Sequence, residues 1–168
     1  VLEQKNKELV TLEEELGFAK LYMTLLSMRF EDSIVYLAPI QLKNPNAKVV
    51  PLSLQLLLEN AVKHNQIMPS RKLIISIVEK DGSLVVTNNL QRKEVLKESL
   101  GFGLQNIRDR YSLLTSQEVE ISETETEFQV SIPIIDSHTE IRSPQESFIT
   151  EKRYKMAKDK VEAVKGFY

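Results

Sequence analysis

Residues 51–65 read PLSLQLLLENAVKHN, and this stretch decides how the rest of the chain can be arranged. A proline is tolerated in, or just ahead of, the first turn of a helix, where its missing N–H costs nothing. Five apolar side chains then recur at helical spacing, which predicts a helix with one side in a core. These side chains are Leu54, Leu57, Leu58, Ala61 and Val62.

A second side of the same predicted helix is polar and carries Glu59, Asn60, Lys63 and His64. Side chains four residues apart lie on one face of a helix, so these four project towards one region. An amide oxygen suits a hard cation such as Mg²⁺, and an ammonium and an imidazole suit phosphate oxygens. The pattern indicates a magnesium–phosphate site, but a simply solvated helix face is the commoner meaning of such polar residues.

A second informative stretch is residues 99–111, which read SLGFGLQNIRDRY. The glycines at 101 and 103 precede a helix that we predict over Leu104–Leu114. Glycines at such a position let backbone N–H groups approach an anion, and the positive end of the helix dipole adds to the attraction. Asn106, in the first turn, can contact a phosphate.

The two stretches together resemble a known family. ENAVKH followed by GFGLQNIRDRY is similar to the N box and the glycine box of the GHKL ATP-binding fold, above all to the LytS-type sensor histidine kinases. The likeness extends to EEELGFAKLYMTLLSMRFED before the N box and to FQVSIPII after the glycine box, and so spans roughly residues 12–135. It implies an α+β fold: a two-layer α/β sandwich, with helices on one face of a mixed or antiparallel sheet, preceded by a long N-terminal helix. The mixed order of predicted strands and helices agrees with this.

The resemblance also implies an activity, with ATP and Mg²⁺ as cofactors. The domain would transfer the γ-phosphate of ATP to a histidine, with Glu59 as the catalytic residue that polarises the attacking group. Asn60 would hold Mg²⁺. The residues that would contact the nucleotide are Asn60, Lys63, His64, Asn88, Gly101, Gly103, Leu104 and Asn106. The family also has an arginine in the glycine-box helix, matched here by Arg110, for which a structural ion pair is the preferred interpretation.

This sequence departs from the family at the adenine site. The family usually has Asp-Asn-Gly where this chain has Asn88-Asn89-Leu90. An asparagine oxygen can still accept the hydrogen bond of the adenine amino group, but losing a charge-assisted bond weakens binding by on the order of 1 kcal/mol. A plain strand-ending turn explains Asn88 and Asn89 equally well.

The charged segment 91–100, QRKEVLKESL, occupies the place of the ATP lid. Lys93 or Lys97 could reach a triphosphate from it, although an ordinary solvated loop explains them equally well.

Seven apolar residues near the N-terminus alternate at spacings of three and four, which is the repeat of a coiled coil or a helical bundle. In the family this helix is the second arm of a dimerisation hairpin, so residues 1–31 are interpreted as that arm; a long helix packed on its own domain is equally compatible. The motif that carries the phosphorylated histidine, similar to NPHFLFN, does not occur in these 168 residues, whose histidines are His64 and His138. We therefore expect the acceptor on an upstream helix. The repeat consists of Leu9, Leu12, Leu16, Ala19, Met23, Leu26 and Phe30.

The remaining apolar runs predict a sheet. The run 34–42 is interrupted by Pro39, which suggests an edge strand or a bulge. The runs 73–78 and 84–86 flank Asp81-Gly82, a strong hairpin signal. A last hairpin is predicted from 119–122 and 128–135, where apolar residues alternate. Residues 32–135 then form the catalytic domain, and 136–168 form a tail of unknown role.

Composition limits the alternatives. The chain has 168 residues, a formal net charge of −2 and no cysteine. It has no basic field to recruit nucleic acid, and disulfides and thiolate chemistry are excluded. The partners that the resemblance implies are a response regulator and, through the N-terminal helix, a second copy of the chain. The expected setting is the cytoplasmic side of a membrane sensor, attached to the cell membrane only through upstream segments. The alternatives are a signalling or dimerisation module whose nucleotide site has decayed, and a different ATPase of this fold class.

Overall fold

A computed structural model describes residues 9–91 and 102–136. The predicted lid, except Gln91, and the tail, except Asp136, lie outside these residues. In chain order the elements are β1 (Val10–Thr11), α1 (Leu12–Arg29), β2 (Ile34–Leu37), β3 (Lys48–Val49), α2 (Ser53–Lys63), β4 (Leu73–Lys80), β5 (Ser83–Asn89), α3 (Phe102–Ser112), β6 (Glu120–Glu123) and β7 (Glu127–Pro133).

The main sheet is mixed, as predicted. Its strand order is β2-β4-β5-β7-β6, in which β2 is parallel to β4 and every other neighbouring pair is antiparallel. Strand β2 occupies an edge, in agreement with the prediction, but it ends at Leu37, before Pro39. A second, two-stranded sheet of β1 and β3 was not predicted from the sequence.

The helices cover one face of this sheet. Along β4, Leu73, Ile75 and Ile77 are buried, whereas Ile74 and Val78 on the opposite face are 44% and 49% exposed. Successive side chains of a strand point to opposite faces, so this alternation means that one face packs on the helices and the other faces solvent. The α+β, two-layer prediction is confirmed.

Helix α1 packs on its own domain. The repeat residues Leu12, Ala19, Met23 and Leu26 are buried in the core that also contains the apolar residues of α2 and the sheet. The repeat therefore marks contacts within the chain, the second of the two alternatives; whether residues 1–31 also act as a dimerisation arm stays a prediction. The outer side of α1 exposes four large apolar side chains by 59–74%. We call this set the outer stripe of α1: Phe18, Leu21, Leu25 and Met28.

Two local predictions are corrected. Helix α3 runs from Phe102 to Ser112 rather than Leu104–Leu114, because residues 113–115 continue as turns, with Leu114 and Thr115 both bonding to the carbonyl of Tyr111. Strand β5 extends to Asn89, since Asn88 and Asn89 are paired with β7. The interpretation of Asn88 and Asn89 as a strand-ending turn is therefore wrong. The predicted Asp81-Gly82 hairpin is confirmed, and both residues have the positive φ that a tight hairpin turn needs.

Candidate functional site

The start of α2 is capped from another helix. Leu52, at the N-cap position, has a left-handed backbone (φ 65°) and supplies no side-chain cap. The carboxylate of Glu15, in α1, accepts hydrogen bonds from the N–H groups of Leu52 and Leu54, both at 3.2 Å. The first turn of a helix leaves N–H groups unsatisfied and carries positive potential. The Glu15 carboxylate accepts hydrogen bonds from two of these N–H groups, and its negative charge interacts favourably with the positive potential.

Glu15 is 3% exposed although it is a carboxylate. Burial raises the pKa of Glu15, against the opposing effects of the bonds from Leu52 and Leu54 and of the Arg110 charge. The sequence reasoning missed Glu15, but a signal was present: it lies three residues after Leu12 and four before Ala19, on the buried side of α1.

Tyr111 ties the glycine-box helix to the same place. Its hydroxyl accepts a hydrogen bond from Val50 N–H at 3.1 Å, and Ser53 Oγ donates to the Val50 carbonyl at 2.6 Å. The Tyr111 side chain is fully buried, and this burial raises its pKa to about 12. We call Glu15, Val50, Ser53 and Tyr111 the three-helix junction, because α1, α2 and α3 meet there.

The second half of α2 is open by comparison. Glu59 and Lys63 are exposed and Asn60 is half-buried. Glu59 accepts a hydrogen bond from Gln55 Nε2 at 3.3 Å. Burial raises the pKa of Tyr22, in α1, and the Glu59 charge raises it further, so the two side chains are within electrostatic reach of each other.

His64 lies differently from its predicted neighbours. It is the C-cap residue of α2 and is only 7% exposed. The predicted polar face is therefore solvent-accessible at Glu59, Asn60 and Lys63, and buried at His64. Helical spacing could not reveal that His64 is buried, because spacing gives the direction of a side chain and not whether other residues cover it.

Asn65, which the sequence reasoning left without a role, links the end of α2 to the base of the predicted lid. Its Nδ2 donates to the Ala61 carbonyl at 2.7 Å, and its Oδ1 accepts from Gln91 N–H at 2.7 Å. The Gln91 carbonyl in turn accepts from Gln66 N–H at 2.7 Å. The sequence contains no signal for this role, because only the structure shows that Asn65 is buried and therefore needs partners.

Asn88 lies on the helix-covered face of the sheet. It pairs with Ile75 and Phe128 across the neighbouring strands, and it is 4% exposed, pointing to the same face as Leu84 and Val86. Its Nδ2 donates to the Asn89 carbonyl at 2.9 Å. The amide donor thus has a partner in the main chain, and Oδ1 remains as the atom that can accept a bond.

The glycine box opens α3. Gly103, Leu104 and Asn106 lie in its first turns, with Asn106 exposed and Leu104 packed against the core. A Cβ built on Gly103 meets no atom of the described residues within 4 Å, apart from its chain neighbours and its own helix backbone. Gly101 lies outside the described residues.

The predicted site residues thus lie on two helices and on the sheet face that these helices cover: Glu59 to Lys63 and the C-cap His64 on α2, Gly103 to Asn106 on α3, and Asn88 on β5. Within residues 9–91 and 102–136, no group of three or more His, Asp or Glu side chains is placed to hold a metal ion. Mg²⁺ in phosphate-binding sites commonly takes one or two protein oxygens together with phosphate oxygens. The Asn60 amide fits that pattern.

Comparison with known proteins was made by family, by sequence and by structure. The chain matches no protein-family profile. It is similar in sequence to the sensor histidine kinase YesM of Bacillus subtilis: 32% identical over 116 residues, which cover 64% of this chain and 20% of YesM. The chain thus spans a fifth of the length of that relative.

Among solved structures, the Acinetobacter baumannii histidine kinase AdeS matches with a TM-score of 0.50 and 14% identity, covering 77% of this chain and 68% of that one. The catalytic domain of histidine kinase ThkA matches with a TM-score of 0.49 and 14% identity, over 77% of this chain and 97% of that one. The likeness to AdeS shows a shared fold. Within the described residues, no helix has the length and apolarity needed to span a membrane.

Proposed function

We propose that this chain is the ATP-binding catalytic domain of a LytS-type two-component sensor histidine kinase. It would transfer the γ-phosphate of ATP to a histidine on a helix outside these residues, from which a response-regulator aspartate receives it. The observation that carries the proposal is the direct packing of the N-box helix α2 on the glycine-box helix α3, over the sheet face that carries Asn88. The similarity to YesM supports it independently.

The relative direction of the two helices supports a shared site. Tyr111, in the last turn of α3, contacts the residues just before and at the start of α2. Gly103 lies eight residues before Tyr111, and Asn60 lies seven residues after Ser53, so the two lie about 12 Å and 10 Å from the junction along their helices. We propose that α3 runs antiparallel to α2 from this point, an orientation that would bring the glycine-led start of α3 towards Asn60 and Lys63.

Each side chain then has a distinct task. The exposed carboxylate of Glu59 would accept a proton from, or orient, the attacking imidazole, and the Asn60 amide oxygen would hold Mg²⁺. Lys63 and the backbone N–H groups that begin α3 neutralise phosphate charge, and Asn106 adds a neutral donor. Mg²⁺ and ATP, when bound, supply the phosphoryl group and the counter-charge. Because phosphoryl transfer depends mostly on positioning and charge neutralisation, no covalent nucleophile of the domain is needed.

Asn88 would contact adenine through Oδ1, because its Nδ2 is bonded to the Asn89 carbonyl. An Asn88→Asp variant restores the family's carboxylate and is expected to tighten nucleotide binding by about fivefold, the gain from a charge-assisted bond. An unchanged affinity would argue against adenine contact at this residue.

The deciding experiment uses the 168-residue chain and Mg-ATP. Titration calorimetry is expected to show one site, and Asn60→Ala to weaken the binding at that site. A longer protein that includes the upstream helix is expected to form acid-labile phosphohistidine, and Glu59→Gln to suppress it while binding of Mg-ATP persists. Binding without any phosphohistidine in the longer wild-type protein would remove the kinase function and favour a different ATPase of the same fold.

A second candidate is a signalling module without nucleotide, favoured by the replacement of the family's Asp and Gly by Asn88 and Leu90. It is distinguished by thermal unfolding with and without Mg-ATP. A ligand present at about 100 times its dissociation constant adds about 2.7 kcal/mol of stability. A melting temperature unchanged by millimolar Mg-ATP supports the module and contradicts the kinase.

Homodimerisation through α1 is a further part of the proposal. The repeat side is buried within the domain, so the contact would use the outer stripe of α1. Its spacing allows antiparallel pairing in which Phe18 faces Met28 and Leu21 faces Leu25 of the second copy. Sedimentation of wild type and of Leu21→Glu/Leu25→Glu is the test: the variant is expected to be monomeric, and identical association of the two proteins would contradict this contact. The expected membrane-attached parent is likewise a proposal.

A further inference from the structure

We infer that Glu15 and Tyr111 are positioning residues that set the N-box helix against the glycine-box helix and so couple α1 to the nucleotide site. The inference rests on the proposed function for its meaning, but its geometry is independent of that function. It concerns the three-helix junction, which lies about two turns of helix away from the residues proposed to contact nucleotide.

The bonding at the junction fixes three helices at one point. Glu15 reaches the start of α2 from 37 and 39 residues earlier in the chain, and Tyr111 reaches Val50, in the segment that leads into α2, from 61 residues later. Neither bond belongs to the regular hydrogen bonding of a helix or a sheet. The bonds that Leu54 and Val50 donate are buried, so water cannot readily replace them when the helices shift. The bond from Leu52 is only partly buried.

This arrangement differs from an ordinary cap. A local Ser, Thr, Asn or Asp at the N-cap would satisfy the same N–H groups and would move together with α2. Leu52 cannot do so, and the acceptor belongs to α1 instead. Any rotation or sliding of α1 therefore displaces the Glu15 carboxylate from the start of α2, and α2 must follow or lose the cap.

Tyr111 completes the coupling because it belongs to α3. The residue lies in the helix whose first turn carries Gly103 and Asn106, and its hydroxyl accepts from Val50 in the lead to α2. A tilt of α2 at the junction is therefore a tilt relative to α3. The two helices supply opposite sides of the proposed phosphate site, so a small tilt changes the distance between the phosphate-contacting groups of α2 and those of α3.

The test compares Glu15→Gln and Tyr111→Phe with Ile132→Val, a buried change in β7 that leaves the junction bonds intact. All proteins are studied at a temperature where each is folded. Both junction variants are expected to bind Mg-ATP about tenfold more weakly, a coupling of ordinary size, while Ile132→Val binds like wild type. The double variant is expected to bind Mg-ATP only slightly more weakly than either single variant, because both substitutions displace α2 relative to α3 in the same way. Wild-type affinity in both junction variants would overturn the inference.

The pH profile separates positioning from mere loss of stability. Three groups face the Glu15 carboxylate: the N–H groups at the start of α2, and Arg110 and Tyr111 of α3. The affinity of wild type for Mg-ATP is expected to fall on acidification, as Glu15 gains a proton and gives up an acceptor, and Glu15→Gln is expected to lack this fall. Parallel profiles for the two proteins would contradict the role of Glu15.

A nucleotide-free measurement keeps the inference separate from the proposed function. Amide hydrogen exchange in Glu15→Gln is expected to rise at residues 102–106, the start of α3, as well as at 52–54. Exchange that rises at 52–54 alone would reduce Glu15 to a local cap and overturn the coupling. If wild type binds no Mg-ATP, the proposed function fails, and this exchange pattern still decides whether the junction couples the helices.

Discussion

The two ends of α2 differ in burial and in hydrogen bonding. At its start, the three-helix junction buries a carboxylate, a hydroxyl and a phenol, each hydrogen-bonded. In its second half, Glu59 and Lys63 project into solvent and Asn60 is half-covered. One helix thus has a start that is buried and hydrogen-bonded and a second half whose polar side chains are open to solvent. Polar residues of a helix that are buried and hydrogen-bonded stabilise the fold, whereas those that remain solvent-exposed are candidates for contacts with a ligand.

The largest expected effect comes from removing the buried contacts at the start of α2. Tyr111→Ala is expected to lower the free energy of unfolding by about 3–5 kcal/mol, because it empties a fully packed position. Tyr111→Phe keeps the ring, leaves the Val50 N–H without its partner and removes the hydroxyl's contact with the Ser53 side chain. The unsatisfied N–H costs about 1–3 kcal/mol. Urea denaturation of the three proteins measures both values. Equal stability of Tyr111→Ala and wild type would contradict the claim that the start of α2 is held by buried contacts.

The open end is expected to behave in the opposite way. Asn60→Ala should change the free energy of unfolding by no more than about 0.5 kcal/mol, as is usual for side chains outside the core. It should nevertheless lower the rate of histidine phosphorylation by about a hundredfold, since it removes a contact to developing charge. Gln66→Ala, an exposed amide just beyond α2, serves as the control. Wild-type phosphorylation in Asn60→Ala would show that the open end is merely solvated.

The pH dependence of stability sharpens the comparison. The pKa of Glu15 is raised in the folded protein, so between its ordinary value and the raised value the folded state binds more protons than the unfolded state. The contribution of Glu15 to stability is therefore full at low pH and is lost as pH rises through the raised pKa. We expect Glu15→Gln to lack this part of the slope when unfolding is measured from pH 4 upwards. Identical slopes in the two proteins would mean that Glu15 is not the group responsible.

The smallest effect is expected at the start of α3. Gly103→Ala meets no steric obstacle, and alanine favours a helix over glycine by up to about 1 kcal/mol. The variant should be as stable as wild type or slightly more so, and yet bind Mg-ATP more weakly, because the methyl group enters the proposed phosphate space. Gly17→Ala, in α1, meets no obstacle either and should leave binding unchanged. Equal affinity in both variants would place the phosphates elsewhere.

Periodicity and turn chemistry predicted most of the fold. The leucine-rich side of α2, the edge position of β2 and the Asp81-Gly82 hairpin all follow from local spacing, and the structure confirms them. The repeat in α1 was correctly identified as a buried side. Its partner was not, because the same repeat packs equally well on another chain or on its own domain.

The site was predicted less completely. The sequence by itself determined which residues of α2 and α3 can carry charge, metal or phosphate contacts, since residue type and helical spacing set the chemistry and the direction of a side chain. Only the tertiary structure decided that His64 is buried, that Asn88 belongs to a strand, and that Glu15 and Tyr111 hold the start of α2. The reason is physical: burial and long-range hydrogen bonds depend on which segments meet, and residues 37 to 61 positions apart meet here only because the core between them has formed.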